Sequence, residues 1–217
     1  NFTVDNDTFH IPISLIYSFV LVKYAPDGDT VLWTAGPTSS TSTVSPVNIR
    51  LTTDGVVVTA SMLDGTLEIG TQTFTNVDTS IDGKEDVIVV KYNSEGDFQW
   101  GTQLKGQGPG TAEETHVLPD NSLVLLVLSR EKTVSIGATV LFTSVNDSPR
   151  TYYLLKLTAQ GEYDWVQYMD NMANYLRSSG VYNDYLYICG EIYTFIPLTL
   201  GGITISSSKG YGYYARV

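Results

Sequence analysis

Lys91-Tyr92-Asn93-Ser94-Glu95-Gly96-Asp97-Phe98-Gln99-Trp100 is the stretch on which the reading of this chain turns. An apolar run, Val87-Ile88-Val89-Val90, leads into it. The run and the residues after the glycine read as two strands joined by a tight turn. The phrase occurs twice more, from Lys23 to Trp33 with the turn Asp27-Gly28-Asp29, and from Lys156 to Trp165 with the turn Gln160-Gly161. All three tryptophans of the chain close a copy, with 67 residues from Trp33 to Trp100 and 65 from Trp100 to Trp165. A fixed period that keeps the same turn and the same aromatic marks a repeat architecture.

Working outward from the phrase, each repeat reads as four strands with a hairpin inserted after the second. In the second copy these are Val47 to Leu51, Val56 to Met62, a hairpin around Gly70, Asp86 to Tyr92, and Phe98 to Leu104. The third copy repeats this as Glu114 to Leu118, Ser122 to Leu128, a hairpin from Thr133 to Phe142, Tyr152 to Leu157, and Tyr163 to Tyr168. The last copy has Leu176 to Val181, Tyr185 to Ile192, a hairpin around Gly201-Gly202, and Tyr213 to Val217. The first begins at its hairpin, Phe2 to Phe9, and continues through Ser18 to Tyr24 and Val31 to Thr34. Turn residues keep the register: Asp54, Asp120 and Asn183 recur, as do Gly70, Gly137 and Gly201. The repeat divides residues 1–217 into a partial unit 1–45, two units 46–107 and 108–171, and a partial unit 172–217.

The expected fold is all-β: a β-propeller-like array of four-stranded antiparallel blades, with partial blades at both ends. Composition agrees. The 217 residues are 42% hydrophobic and 12% aromatic but only 16% charged, which favours strands and a packed core. The near-continuous apolar third strand needs cover on both faces, as stacked sheets provide.

The phrase of apolar strand, Lys-Tyr, Asp/Asn-x-x-Gly and hydrophobic-x-Trp, preceded by a glycine-containing hairpin, resembles the SBBP-type β-propeller repeat of secreted and surface proteins. Leu157 stands where the pattern has Tyr, and Ala215-Arg216 stands where it has Lys-Tyr. The resemblance implies a propeller in an extracellular or cell-surface setting and points to no particular activity.

Charge excludes some partners. A formal net charge of −11 repels nucleic acid and anionic membrane surfaces. No apolar run is long enough for a transmembrane helix. The chain has no initial Met and no signal-peptide pattern, and reads as a mature product or a segment of something larger. Asn1, Asn6 and Asn146 each open an N-glycosylation triplet. Cys189, the one cysteine, lies in an apolar run and reads as a small core residue.

No catalytic constellation is legible. His10 and His116 have no Cys, His or carboxylate at ligand spacing, and no G-x-S-x-G or phosphate-binding loop occurs. Glu113 and Glu114 are adjacent on a strand, so they point to opposite faces and do not flank one bond. Asp5-Asn6-Asp7, Asp27-Gly28-Asp29 and Asp82 to Asp86 place oxygens close together; turn chemistry accounts for them, and calcium is the alternative. No other cofactor is expected.

The expectation is a non-enzymatic, extracellular structural or adhesive module that acts through surface contacts or self-assembly. Its partners are other copies of itself or neighbouring blades. The edge strands at Phe2 and Val4 and at Tyr213, Tyr214 and Val217 are the candidate contact residues. The alternative is a carbohydrate-binding propeller with one aromatic site per blade at Trp33, Trp100 and Trp165, although a residue repeated in every blade also suits packing.

Overall fold

The computed structural model describes residues 2–4, 7–9, 18–76, 85–106, 110–129, 133–143, 151–169, 175–182, 185–192, 198–200, 203–205 and 211–216. Among these the protein is all-β, and its sheets are antiparallel. The first unit holds the hairpin β1 (Phe2–Val4) and β2 (Asp7–Phe9), then β3 (Leu21–Tyr24), β4 (Val31–Ala35) and the short β5 (Ser39–Ser40). The second holds β6 (Val44–Thr52), β7 (Gly55–Met62), the hairpin β8 (Gly65–Ile69) and β9 (Gln72–Asn76), β10 (Asp86–Asn93) and β11 (Phe98–Gly106). The third holds β12 (Gly110–Val117), β13 (Leu123–Ser129), the hairpin β14 (Thr133–Ile136) and β15 (Thr139–Thr143), β16 (Thr151–Leu157) and β17 (Tyr163–Met169). The last holds β18 (Tyr175–Tyr182), β19 (Tyr185–Ile192), the hairpin β20 (Leu198–Leu200) and β21 (Ile203–Ile205), and β22 (Tyr211–Arg216).

The four-strand order expected from the repeat is present twice, as β6-β7-β10-β11 and β12-β13-β16-β17. The last unit contributes β18-β19-β22, and the first contributes β3-β4. Strand bounds run longer than the apolar patterns suggest: β6 begins at Val44 and β12 at Gly110, each with a bulge near its start. Ladder hydrogen bonds continue past the apolar residues because the partner strand continues there.

The sheets stack face to face in chain order, and three apolar layers lie between them. The first packs Phe19, Leu21 and Ala35 of the first unit against Val56, Val58, Ala60, Ile88 and Val90 of the second. The next joins Val57, Val87 and Val89 to Leu123, Leu125, Val127 and Leu155. The third joins Val124, Leu126 and Leu154 to Leu186 and Ile188. The strand period of two therefore sends alternate residues of one strand into different layers. This is why the third strand is apolar throughout: Val87, Ile88, Val89 and Val90 are all buried. Each such side chain contributes about 1.5–3 kcal/mol of burial free energy.

The inserted hairpin ties a unit to the one before it. β14 pairs with β11 through Leu104–Ile136, Lys105–Ser135 and Gly106–Val134, which extends the second unit's sheet to six strands. β8 likewise pairs with β5, which follows β4. β20 contacts β17. The hairpin that lengthens the repeat is thus a strand-to-strand clasp.

One core expectation fails. Cys189 is exposed. Leu186 and Ile188 of β19 face the third layer, so Tyr185, Tyr187 and Cys189 turn to the opposite face, which no sheet covers among the described residues.

Candidate functional site

The repeated tryptophans act between units. Trp33 packs against the first apolar layer, and its Nε1–H donates to the Ser94 carbonyl in the turn of the next unit at 2.8 Å. Its ring lies over Gly96, whose φ is +91°; a Cβ there would stand 2.8 Å from the indole. Trp100 repeats the arrangement. It donates to the Ala159 carbonyl at 3.0 Å and covers Gly161, where a Cβ would overlap the ring. Thr102 adds a bond from its hydroxyl to the Gly161 carbonyl at 2.5 Å. The turn glycine is therefore required twice over, for positive φ and to admit the indole. Lys23 Nζ joins the first clamp, 2.8 Å from the Ser94 carbonyl and 5.8 Å from the Trp33 ring centroid. Trp165 is partly buried against the third layer. Two of the three tryptophans thus give a ring face and the N–H to the neighbouring unit.

The lysine of the phrase has its own partner. In the second unit Lys91 is almost wholly buried, and its ammonium bonds Asp54 of the first turn at 2.8–2.9 Å. The ammonium, together with the Thr52 hydroxyl, holds the Asp54 carboxyl below its ordinary pKa. In the third unit Lys156 instead pairs with Asp164 at 3.1 Å, and Asp120 accepts from the Ser122 amide and hydroxyl. The residue after Lys91, Tyr92, packs edge-on against Phe98 with its hydroxyl unbonded, and burial pushes its pKa well up. The third unit has Leu157 there, fully buried, so the position asks for bulk and no polar group.

The seam between the second and third units is polar along the first strands. Asn48 donates to the carbonyls of Ala112 and Glu113, and Arg50 Nε donates to the Thr115 carbonyl at 2.7 Å. The buried Thr59 and Thr115 hydroxyls meet at 2.9 Å. At the next seam Glu114, His116 and Ser179 converge. The Ser179 N–H and hydroxyl both donate to Glu114 Oε2, and His116 Nε2 lies 2.7 Å from Ser179 Oγ and 3.3 Å from Glu114. The sequence reading missed this carboxylate beside His116; the i, i+2 spacing of Glu114 and His116 on one strand was the available signal. His116 Nε2, Ser179 Oγ and Glu114 Oε2 thus form one hydrogen-bonded group across the seam. Burial lowers the His116 pKa more than Glu114 raises it, with Arg50 adding to the fall. The neutral ring is a cross-unit strut.

Of the acidic loops, Asp27 is occupied by its own turn. It accepts from the Asp29 and Thr30 amides and the Thr30 hydroxyl, which lowers its pKa. Asp86 is buried and accepts from Gln103 and the Gly106 amide. No group of three or more His, Cys, Asp or Glu side chains suited to a metal occurs among the described residues. Asn1, Asn6, Asn146, His10, Asp5, Asp82 and Val217 lie outside the described residues.

The open surface lies elsewhere. β3 has one described partner, β4, whereas the third strands β10 and β16 are each paired on both edges. Beside the open edge, β6 turns Asn48 and Arg50 toward the third unit and Val47, Ile49 and Leu51 away from it. Ile49 is 51% and Leu51 78% exposed on β6, the edge strand of its sheet. Two adjoining hollows of about 230 and 280 Å³ run between β3 and β6, sharing Leu21 and Ile49. Of the contact residues expected from sequence, Phe2 and Val4 are in β1, which pairs with β2, and Tyr213 and Tyr214 are in β22, which pairs with β19.

No family model matches the chain, and no curated protein matches it significantly.

Proposed function

We propose that the chain is a non-enzymatic structural or adhesive module, a propeller-like repeat of the SBBP type that works in an extracellular or cell-surface setting through strand-to-strand assembly. The observation that carries this is the edge of β3 that is open among the described residues, beside the exposed apolar face of β6. An unpaired edge next to apolar surface is a template for another strand. The partner is another copy or a neighbouring blade. Light scattering of the 217-residue chain over a hundredfold range of concentration tests it. A mass that rises with concentration is expected, and a constant monomer mass refutes the self-assembly.

A glycan-binding reading has one observation of its own. Tyr185 and Tyr187 sit two apart on the open face of β19, 44% and 37% exposed. Aromatic faces so placed suit stacking on sugar rings. Binding on a glycan panel, lost in Tyr187→Ala, would favour it over assembly.

A further inference from the structure

The clamp seen twice within the chain has an unmatched half at each end of the stack. The turn around Gly28 has the fold of the other two: Gly28 N bonds the Ala25 carbonyl at 3.0 Å, as Gly96 N bonds Asn93 and Gly161 N bonds Thr158. Gly28 and Gly161 share a φ of +79°. Yet no atom lies within 4 Å of the place a Gly28 Cβ would take, where the other two turns carry an indole. At the other end Trp165 lies against the third layer, and its N–H meets no acceptor among the described residues. Among the described residues, one seat lacks an indole and one indole lacks a seat.

We propose that a second copy of this chain joins the two: Trp165 of one copy seats on the Gly28 turn of the other. This rests on the assembly reading above and names its partner. In both observed clamps the acceptor is the carbonyl two residues before the glycine, so here it is that of Pro26. For the indole to reach that turn, β3 and β4 of the second copy take the third- and fourth-strand places beside β19. The hairpin β18–β19 then fills the slot beside β3, as β6–β7 and β12–β13 fill it in the complete units. The exchange covers Ile49 and Leu51 on one side and Tyr185 and Tyr187 on the other, all exposed in the single chain. β22, which holds that place beside β19 in the single chain, gives way to β3. The arrangement is a strand swap, and two reciprocal exchanges close a dimer.

Light scattering on wild type, Trp165→Ala and Gly28→Ala tests this. Wild type is expected to reach twice the 23.8 kDa chain mass and stop. Both variants are expected to dissociate at least tenfold more readily, with unchanged circular dichroism. Gly28→Ala keeps the test valid should loss of Trp165 unfold the third unit. A locked variant tests the displacement: Tyr214 pairs with Cys189 across β22 and β19, so Tyr214→Cys can be oxidised to pin β22 in place. The oxidised form is expected to stay monomeric and the reduced form to dimerise. Association that ignores Trp165 and Gly28, that grows without limit, or that survives the lock overturns this inference and leaves self-assembly standing. A monomer at every concentration overturns both.

Discussion

Gly28, Gly96 and Gly161 occupy one position of the repeat but meet different surroundings, so a single substitution separates backbone from packing. Gly28 and Gly161 share a φ of +79°. An alanine at either pays the left-handed penalty of roughly 1–2 kcal/mol. At Gly28 nothing else changes, since no atom lies within 4 Å of the new methyl group. At Gly161 the methyl group must displace the Trp100 ring, which is anchored by its bond to the Ala159 carbonyl and packed on the second apolar layer. Overpacking of that kind costs about 1–3 kcal/mol. Gly161→Ala should therefore destabilise the chain by about 2–5 kcal/mol and Gly28→Ala by about 1–2 kcal/mol. Urea unfolding at neutral pH, followed by tryptophan fluorescence, gives both values from midpoint and slope; it is run at concentrations where both proteins are monomeric. Gly96→Ala should fall with Gly161→Ala, because its methyl group meets Trp33. Equal losses at Gly28 and Gly161 would refute the clamp and reduce the glycine repeat to turn geometry alone.

Asp54→Asn should cost more than Lys91→Met in urea melts, by about 1–2 kcal/mol, because the first strands a buried ammonium and the second removes both charge and need; the reverse order would show that Lys91 finds another partner. Tyr92→Phe should leave stability unchanged or raise it by up to about 1 kcal/mol, since the buried hydroxyl has no partner; a loss above that would reveal a missing acceptor. Stability should fall as pH drops below about 6.5, the unfolded pKa of His116, because the folded ring has the lower pKa and the unfolded chain takes up the proton first. His116→Asn should lose that slope between pH 7.5 and 5; a profile identical to wild type would dismiss the strut. Asp54 and Asp120 contribute stability above about pH 4, lost as pH falls through their lowered folded values, so their Asn variants should flatten only the acid limb.

The sequence by itself determined the repeat, and through it the local structure. Glycines at positive φ, Asp and Asn at turns, and the apolar third strand are short-range requirements that each residue states directly, so strand order and turn positions were legible. The Lys-Tyr and Trp positions were legible as repeats, but their purpose was not. A tryptophan that recurs in every unit is equally a ligand platform or a clamp until its neighbour is known. That neighbour lies about sixty residues away, and only tertiary structure decided that Trp33 and Trp100 face glycine turns. Cys189 failed for a related reason. Its apolar run promised burial, but period two sends Leu186 and Ile188 to one face and Cys189 to the other, and cover depends on the next sheet. Glu114, His116 and Ser179 come together because two first strands lie side by side, a proximity that depends on how whole sheets stack. Pattern fixes which face a residue points to; the stacking of units fixes what it meets there.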